Sequence, residues 1–223
     1  MDVKYFVRTT EERSLDETFS QIKYELLIDK EHNPVKSFIE QLEYLSDYDA
    51  VLLEDDVVLC EGFKEEIEKV ISNHKDSIIN FFTNPIKYFT SNYCQCFIYN
   101  QCTYYPKGVG KILAKQMRQD WEKLKGVGYD SIENRSINTL NLYVYNYRPC
   151  LVQHKDTYSL IGRNRMFTKD RITPYFKDYI DKYNIDYNNP KEALANLDKL
   201  NNEKEEFINQ IKADVHRTSE DYK

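Results

Sequence analysis

Ala50-Val51-Leu52-Leu53 is an unbroken apolar run that leads straight into Glu54-Asp55-Asp56. Successive side chains of a strand point to opposite faces, so such a run needs cover on both of them. That demand calls for a sheet with helices on each side, and the flanking chain carries the matching pattern. Residues 3–7 are β-rich and precede a polar segment, residues 8–13. Ser14 and Glu17 stand at capping-box spacing, which predicts a helix of about two turns. A second strand is predicted over residues 24–28, stopping at Asp29. Asn33-Pro34 then pairs an N-cap with a proline at the first helical position. Val35, Phe38, Ile39, Leu42 and Leu45 follow at spacings of three and four, one apolar helix face. Phe63, Ile67, Val70 and Ile71 mark a further helix, and residues 77–82 a further strand.

Beyond Asn84 the pattern loosens. Residues 93–105 are strand-rich but irregular, and Val109, Ile112, Leu113 and Met117 mark a helix that Pro106 can open. Another helix is predicted within residues 130–140, a strand through residues 143–145, and an extended segment over residues 148–154. Strands alternating with helices imply right-handed βαβ units and a layered α/β fold. The length of 223 residues suits one domain with an appendage. After Pro174 the chain turns to polar helical patterning. There Leu194, Leu197, Ile208, Ile211 and Val215 fit an a/d repeat that Asn201 and Lys204 interrupt, as in a docking helix or a self-association element.

Several function classes are disfavoured by composition. Lys and Arg total 31 against 37 Asp and Glu, so the net charge is −6, which argues against broad, nonspecific nucleic-acid binding. No segment has the length of apolar sequence that a membrane span needs, and the N-terminus lacks signal-peptide character. Five cysteines, an odd number, suit a reduced cytoplasmic protein. Cys94, Cys96 and Cys102 make a poor zinc pattern and suit buried free thiols better. Neither of the two commonest glycine-rich phosphate loops occurs.

The acidic triplet is the most informative feature. Three adjacent carboxylates repel one another, and in an α/β sheet the carboxyl edge of the strands is where ligands bind. A divalent cation would relieve the repulsion, and Mg²⁺ or Mn²⁺ takes oxygen ligands with phosphates and water completing the shell. The alternative is an acidic turn in which one carboxylate caps a helix. The functional reading requires the three carboxylates to face a cleft, free of ion pairs with lysines and arginines.

Residues 52–59, Leu-Leu-Glu-Asp-Asp-Val-Val-Leu, with Gly62-Phe63 and a helix behind them, resemble the acidic-motif segment of GT-A-fold glycosyltransferases that carry an EDD form of the D-x-D motif. The first strand ends at Arg8, Thr9 and Thr10, and the second at Asp29. The late segment Pro149-Cys150-Leu151-Val152-Gln153-His154, followed by residues 159–162, is similar to the P-x-L-x-x-H … S segment of several such families. The likeness covers about residues 3–165. It implies a GT-A-like (Rossmann-like) mixed sheet flanked by helices over residues 1–173, with a helical C-terminal extension over residues 174–223.

The same resemblance implies a metal-dependent enzyme that moves a sugar from a nucleotide-sugar donor, a UDP-sugar first, to a hydroxyl acceptor. Asp56, with Asp55 and His154, would hold Mn²⁺ or Mg²⁺. Arg8, Thr9, Thr10 and Asp29 would form the nucleotide pocket, with Arg13 a weaker candidate, and Glu54 would contact the ribose. The alternative for His154 is that it caps a strand end. Asp130, near a helix start, is the candidate general base for an inverting reaction and equally a candidate N-cap. Trp121 can stack on a sugar or fill core. The basic segment Lys155, Arg163, Arg165, Lys169 and Arg171 can close over the diphosphate, bind a charged acceptor, follow a nucleic-acid backbone, or be a solvated loop. Acceptors in scope are a glycan, a lipid-linked sugar, a protein or a modified DNA base. Two other classes stay open: a catalytically silent binding or assembly protein on this fold, and a metal-dependent nucleotidyltransferase.

Overall fold

The computed structural model describes residues 2–10, 14–82, 93–94, 100–124, 126–155, 173 and 175–186. Its main sheet begins with β1 (Val3–Thr9), β2 (Tyr24–Ile28) and β3 (Asp49–Glu54), which run parallel, β1 in the middle. The helix α1 (Pro34–Leu45) joins β2 to β3. Asn33 Oδ1 caps it by accepting from the Lys36 N–H at 3.1 Å, as the Asn-Pro pair predicts. After β3 a two-residue turn enters β4 (Val57–Leu59), followed by α2 (Phe63–Asn73), β5 (Ile78–Asn80) and β6 (Tyr93–Cys94). β7 (Cys102–Tyr105), α3 (Val109–Lys123), α4 (Tyr129–Thr139), β8 (Val144–Asn146), β9 (Val152–His154) and α5 (Lys177–Tyr183) complete the described order.

The main sheet has seven strands in the order β2-β1-β3-β7-β5-β8-β6, and β4 pairs with β9 in a separate two-stranded sheet. β7 runs antiparallel to both β3 and β5, so the sheet is mixed, as expected. Alternation along β3 explains the apolar run. Ala50 and Leu52 pack with Phe6, Phe38, Leu42, Leu113, Met117 and Ile132 beneath α1, α3 and α4. Val51 and Leu53 face the opposite layer, with Val57, Leu59, Phe63, Ile67 and Val152 from α2 and the small sheet. Helices therefore cover one face, and a helix with a hairpin-like pair covers the other.

Three local expectations are corrected. The turn predicted from Ser14 and Glu17 is a 3-10 segment, Glu17–Gln21, capped by Asp16, whose Oδ1 accepts from the Thr18 N–H at 3.0 Å. Thr18 Oγ1 accepts from the Leu59 N–H at 3.0 Å, so a contact with β4 sets where the turn starts. Ile112, expected on the buried face of α3, is 55% exposed. The strand predicted over residues 77–82 narrows to Ile78–Asn80, although Phe81 and Phe82 behind it remain buried.

Cys60, Cys102 and Cys150 are buried free thiols, and Trp121 packs against the cluster beneath α3. No group of three metal-ligating side chains occurs among the described residues. Phe176, just before α5, joins the core beside β9, and Tyr175 and Ile180 close over Cys150. The a/d repeat over residues 194–215 lies outside the described residues. No helix among the described residues is long and apolar enough to cross a membrane.

Candidate functional site at the carboxyl edge of the sheet

Parallel register brings the ends of β1, β2 and β3 to one rim. Arg8 sits beside Glu54 across β1 and β3, and Thr9 beside Ile28 across β1 and β2. The Asp29 N–H donates to the Thr9 carbonyl at 3.0 Å, and the Glu54 N–H to the Gln101 carbonyl at 3.0 Å. Four chain segments far apart in sequence thus meet at the edge where ligands bind in such sheets. Asp29 Oδ1 also accepts from the Asn33 N–H at 3.3 Å, which ties the rim to the start of α1.

Arg8 and Glu54 engage each other. Arg8 Nη1 donates to Glu54 Oε1 at 2.8 Å, and the Tyr129 hydroxyl donates to the same oxygen at 2.9 Å. The guanidinium lies 4.9 Å from the Phe38 ring centroid and 4.4 Å from that of Tyr129, against a pair of rings that pack on each other at 4.8 Å. Burial opposes the charge on Arg8, but the adjacent Glu54 carboxylate holds its pKa above the ordinary arginine value. Burial raises the pKa of Glu54 in turn, against the pull of Arg8. Glu54 therefore fails the requirement that the acidic triplet be free of ion pairs. Its half-buried pair with Arg8 stands in place of the ribose contact expected of Glu54 and the nucleotide contact expected of Arg8. Burying Arg8 beside a half-buried Glu54 favours that outcome, because an unpaired buried charge is strongly destabilising.

The other two carboxylates face different partners. Asp55 is buried, and its Oδ2 accepts from the Thr9 hydroxyl at 2.8 Å. Asp56 Oδ2 stands 3.3 Å from His154 Nε2. Pairing of β4 with β9 causes this approach, since it sets Val57 opposite His154. The Lys155 N–H closes the junction on the Asp56 carbonyl at 2.6 Å. The other ring nitrogen of His154, Nδ1, lies against the Lys155 carbonyl, so the ring has one nitrogen toward a backbone acceptor and one toward the Asp56 carboxylate. Imidazole and carboxylate suit Mn²⁺, and Mg²⁺ commonly takes one or two protein ligands with phosphate and water supplying the rest. Asp56 and His154 fit such a cation, whereas the described orientation of Asp55 directs it to Thr9.

A second buried network lies under the rim. Glu133 is fully buried. Its Oε1 accepts from the Tyr105 hydroxyl at 2.6 Å, and its Oε2 from the Asn100 side-chain amide at 2.8 Å. Burial pushes its pKa up to about 8, against the hydrogen bond from Tyr105. Sequence reasoning missed Glu133, although a signal existed. Positions 129, 132, 133, 136 and 137 form one helical stripe, and a carboxylate there is bound for the interior.

Asp130 stands in the first turn of α4, half-buried, next to the Tyr129 that bonds Glu54. Gly128 occupies the N-cap position, so Asp130 does not serve as the cap. Among the described residues, three buried polar atoms at or near the rim lack a hydrogen-bond partner: Arg8 Nε, Thr10 Oγ1 and Gln101 Oε1. Arg13, residues 159–162, Arg163, Arg165, Lys169 and Arg171 lie outside the described residues. Lys155 is described, and its ammonium pairs with Asp16 at 2.7 Å.

No family model matches this chain. No curated protein matches it either. Among solved structures, the crystal structure of A197 from STIV aligns at 16% identity with a TM-score of 0.41, covering 69% of this chain and 84% of that one. The functional reading rests on the rim itself.

Proposed function

We propose that the chain is a metal-assisted glycosyltransferase that moves a sugar from a nucleotide-sugar donor, a UDP-sugar first, to an acceptor hydroxyl. The observation that carries this reading is the meeting of Asp56, from the acidic motif, with His154, from the late motif, 3.3 Å apart at the carboxyl edge of the parallel strands. Those two side chains would hold Mn²⁺ or Mg²⁺. When bound, the cation supplies Lewis-acid stabilisation of the charge that builds on a departing diphosphate. Thr10 and Gln101, whose side-chain oxygens have no partner among the described residues, and Asp29 at the end of β2 would line the nucleotide side. The Arg8–Glu54 pair would hold β1 against β3 and keep Tyr129 in place. Asp130 would take the proton of the acceptor hydroxyl in an inverting reaction.

A second reading has its own support. Glu54 is held in an ion pair by Arg8 and Asp55 accepts from Thr9, so the triplet as a whole does not meet the condition set for it. The metal assignment rests on Asp56 alone of the three, which suits a catalytically silent binding protein on the same scaffold. Incubation with Mn²⁺ and a panel of nucleotide sugars separates the readings. Release of a nucleoside diphosphate supports transfer or donor hydrolysis, release of pyrophosphate indicates nucleotidyl transfer, and no turnover of any donor favours the silent protein. Asp56→Asn is expected to lower turnover at least about a hundredfold, the scale of losing one electrostatic stabiliser, with an unchanged circular dichroism spectrum. Full activity in that variant ends the metal assignment.

A further inference from the structure

β2 ends the main sheet, and its outer side is uncovered by any strand among the described residues. The Asp29 N–H points inward to Thr9, and backbone groups alternate along a strand, so those of Tyr24, Leu26 and Ile28 point outward. The side chains of these same residues share one face and are 38%, 46% and 38% exposed, an apolar stripe on an open edge. On the opposite face the Tyr44 hydroxyl holds Glu25 at 2.6 Å, and Leu27 packs against the α1 cluster, which fixes the strand's orientation.

Open edges of this kind are templates for further pairing unless charge or proline blocks them. Here the charges flank the stripe, and they complement themselves. We infer that β2 is an interface between two copies of this chain, joined antiparallel about a two-fold axis at Leu26. In that register Leu26 meets the partner's Leu26, and Tyr24 meets the partner's Ile28. The outward backbone groups of both copies close into hydrogen-bonded pairs. Lys23 then lies opposite the partner's Asp29, and Asp29 opposite the partner's Lys23, so both ends of the ladder carry opposite charges. A two-fold interface must be self-complementary, and residues 23–29 meet that condition about Leu26. The two seven-stranded sheets become one continuous sheet. This surface is separate from the C-terminal a/d repeat, but it shares Asp29 with the nucleotide side of the proposed site, so the charge exchange below is read by association alone and not by activity.

The test is sedimentation equilibrium of the full chain from about 5 to about 300 µM, a range suited to a small interface. Wild type is expected to dimerise within it. Leu26→Lys places like charges on the two-fold axis at an exposed position, and dimerisation is expected to weaken at least about tenfold with unchanged circular dichroism. Lys23→Asp and Asp29→Lys are each expected to weaken it, and the double exchange to restore it. A wild-type monomer throughout, a dimer indifferent to Leu26→Lys, or a double exchange without rescue each overturns the proposal.

Discussion

Arg8 shows how a residue with the chemistry of a ligand contact becomes part of the frame. Two aromatic rings and Glu54 pack against it, leaving its side chain 5% exposed. Arg8→Met leaves the half-buried Glu54 without its cation and is expected to cost about 2–4 kcal/mol in urea unfolding, somewhat less than a fully buried pair. Adding Glu54→Gln should return much of that loss, because the uncompensated charge is gone. Glu133 gives a pH prediction. Its folded pKa of about 8 lies above the unfolded carboxyl value, so the folded state holds the proton longer. Stability therefore falls as pH rises from about 4.5 to about 8 and levels off above that. Glu133→Gln carries no such proton, so the melting temperature of wild type relative to this variant should drop across that interval. A constant difference would show that Glu133 ionises normally.

At the scale of elements, helix faces and strands were largely legible in the sequence. Val35, Phe38, Ile39, Leu42 and Leu45 are all buried along α1, and β2 occupies Tyr24–Ile28 as predicted. Periodicity is a local property, so it survives in the sequence. The Ser14 cap failed because Thr18 bonds a strand far along the chain, which periodicity does not encode. Glycine spacing also hides a crossing. A Cβ on Gly110 would stand 2.1 Å from the Leu42 carbonyl oxygen, so α3 passes against the backbone of α1 there. Gly110→Ala must separate the two helices and is expected to lose about 1–3 kcal/mol or more, read by chemical denaturation. Asn33→Ala removes only a cap, for about 1 kcal/mol.

For the whole molecule, the mixed sheet predicts a gradient of local stability. β1, β3 and β7 lie inside the sheet with neighbours on both sides, and their amides should exchange with solvent most slowly. The outward amides of Tyr24, Leu26 and Ile28 should exchange fast in Leu26→Lys and gain protection in concentrated wild type. A nucleoside diphosphate with Mn²⁺ at about one hundred times its Kd should add about 2.7 kcal/mol of stability, detectable as a thermal shift. Asp56→Asn should abolish that shift.

The sequence by itself determined the layered α/β class, the strand that needs cover on both faces, and the rim where acidic residues gather. These follow from side-chain alternation and helical spacing, which operate over a few neighbouring residues. Only the tertiary structure decided which carboxylate met which partner. Glu54 found Arg8 through parallel register, Asp55 found Thr9, and Asp56 found His154 because β4 and β9 align. Adjacent residues in a turn diverge in direction, and the low-polarity interior demands that each buried charge find a counterpart, so three similar side chains acquired three different environments.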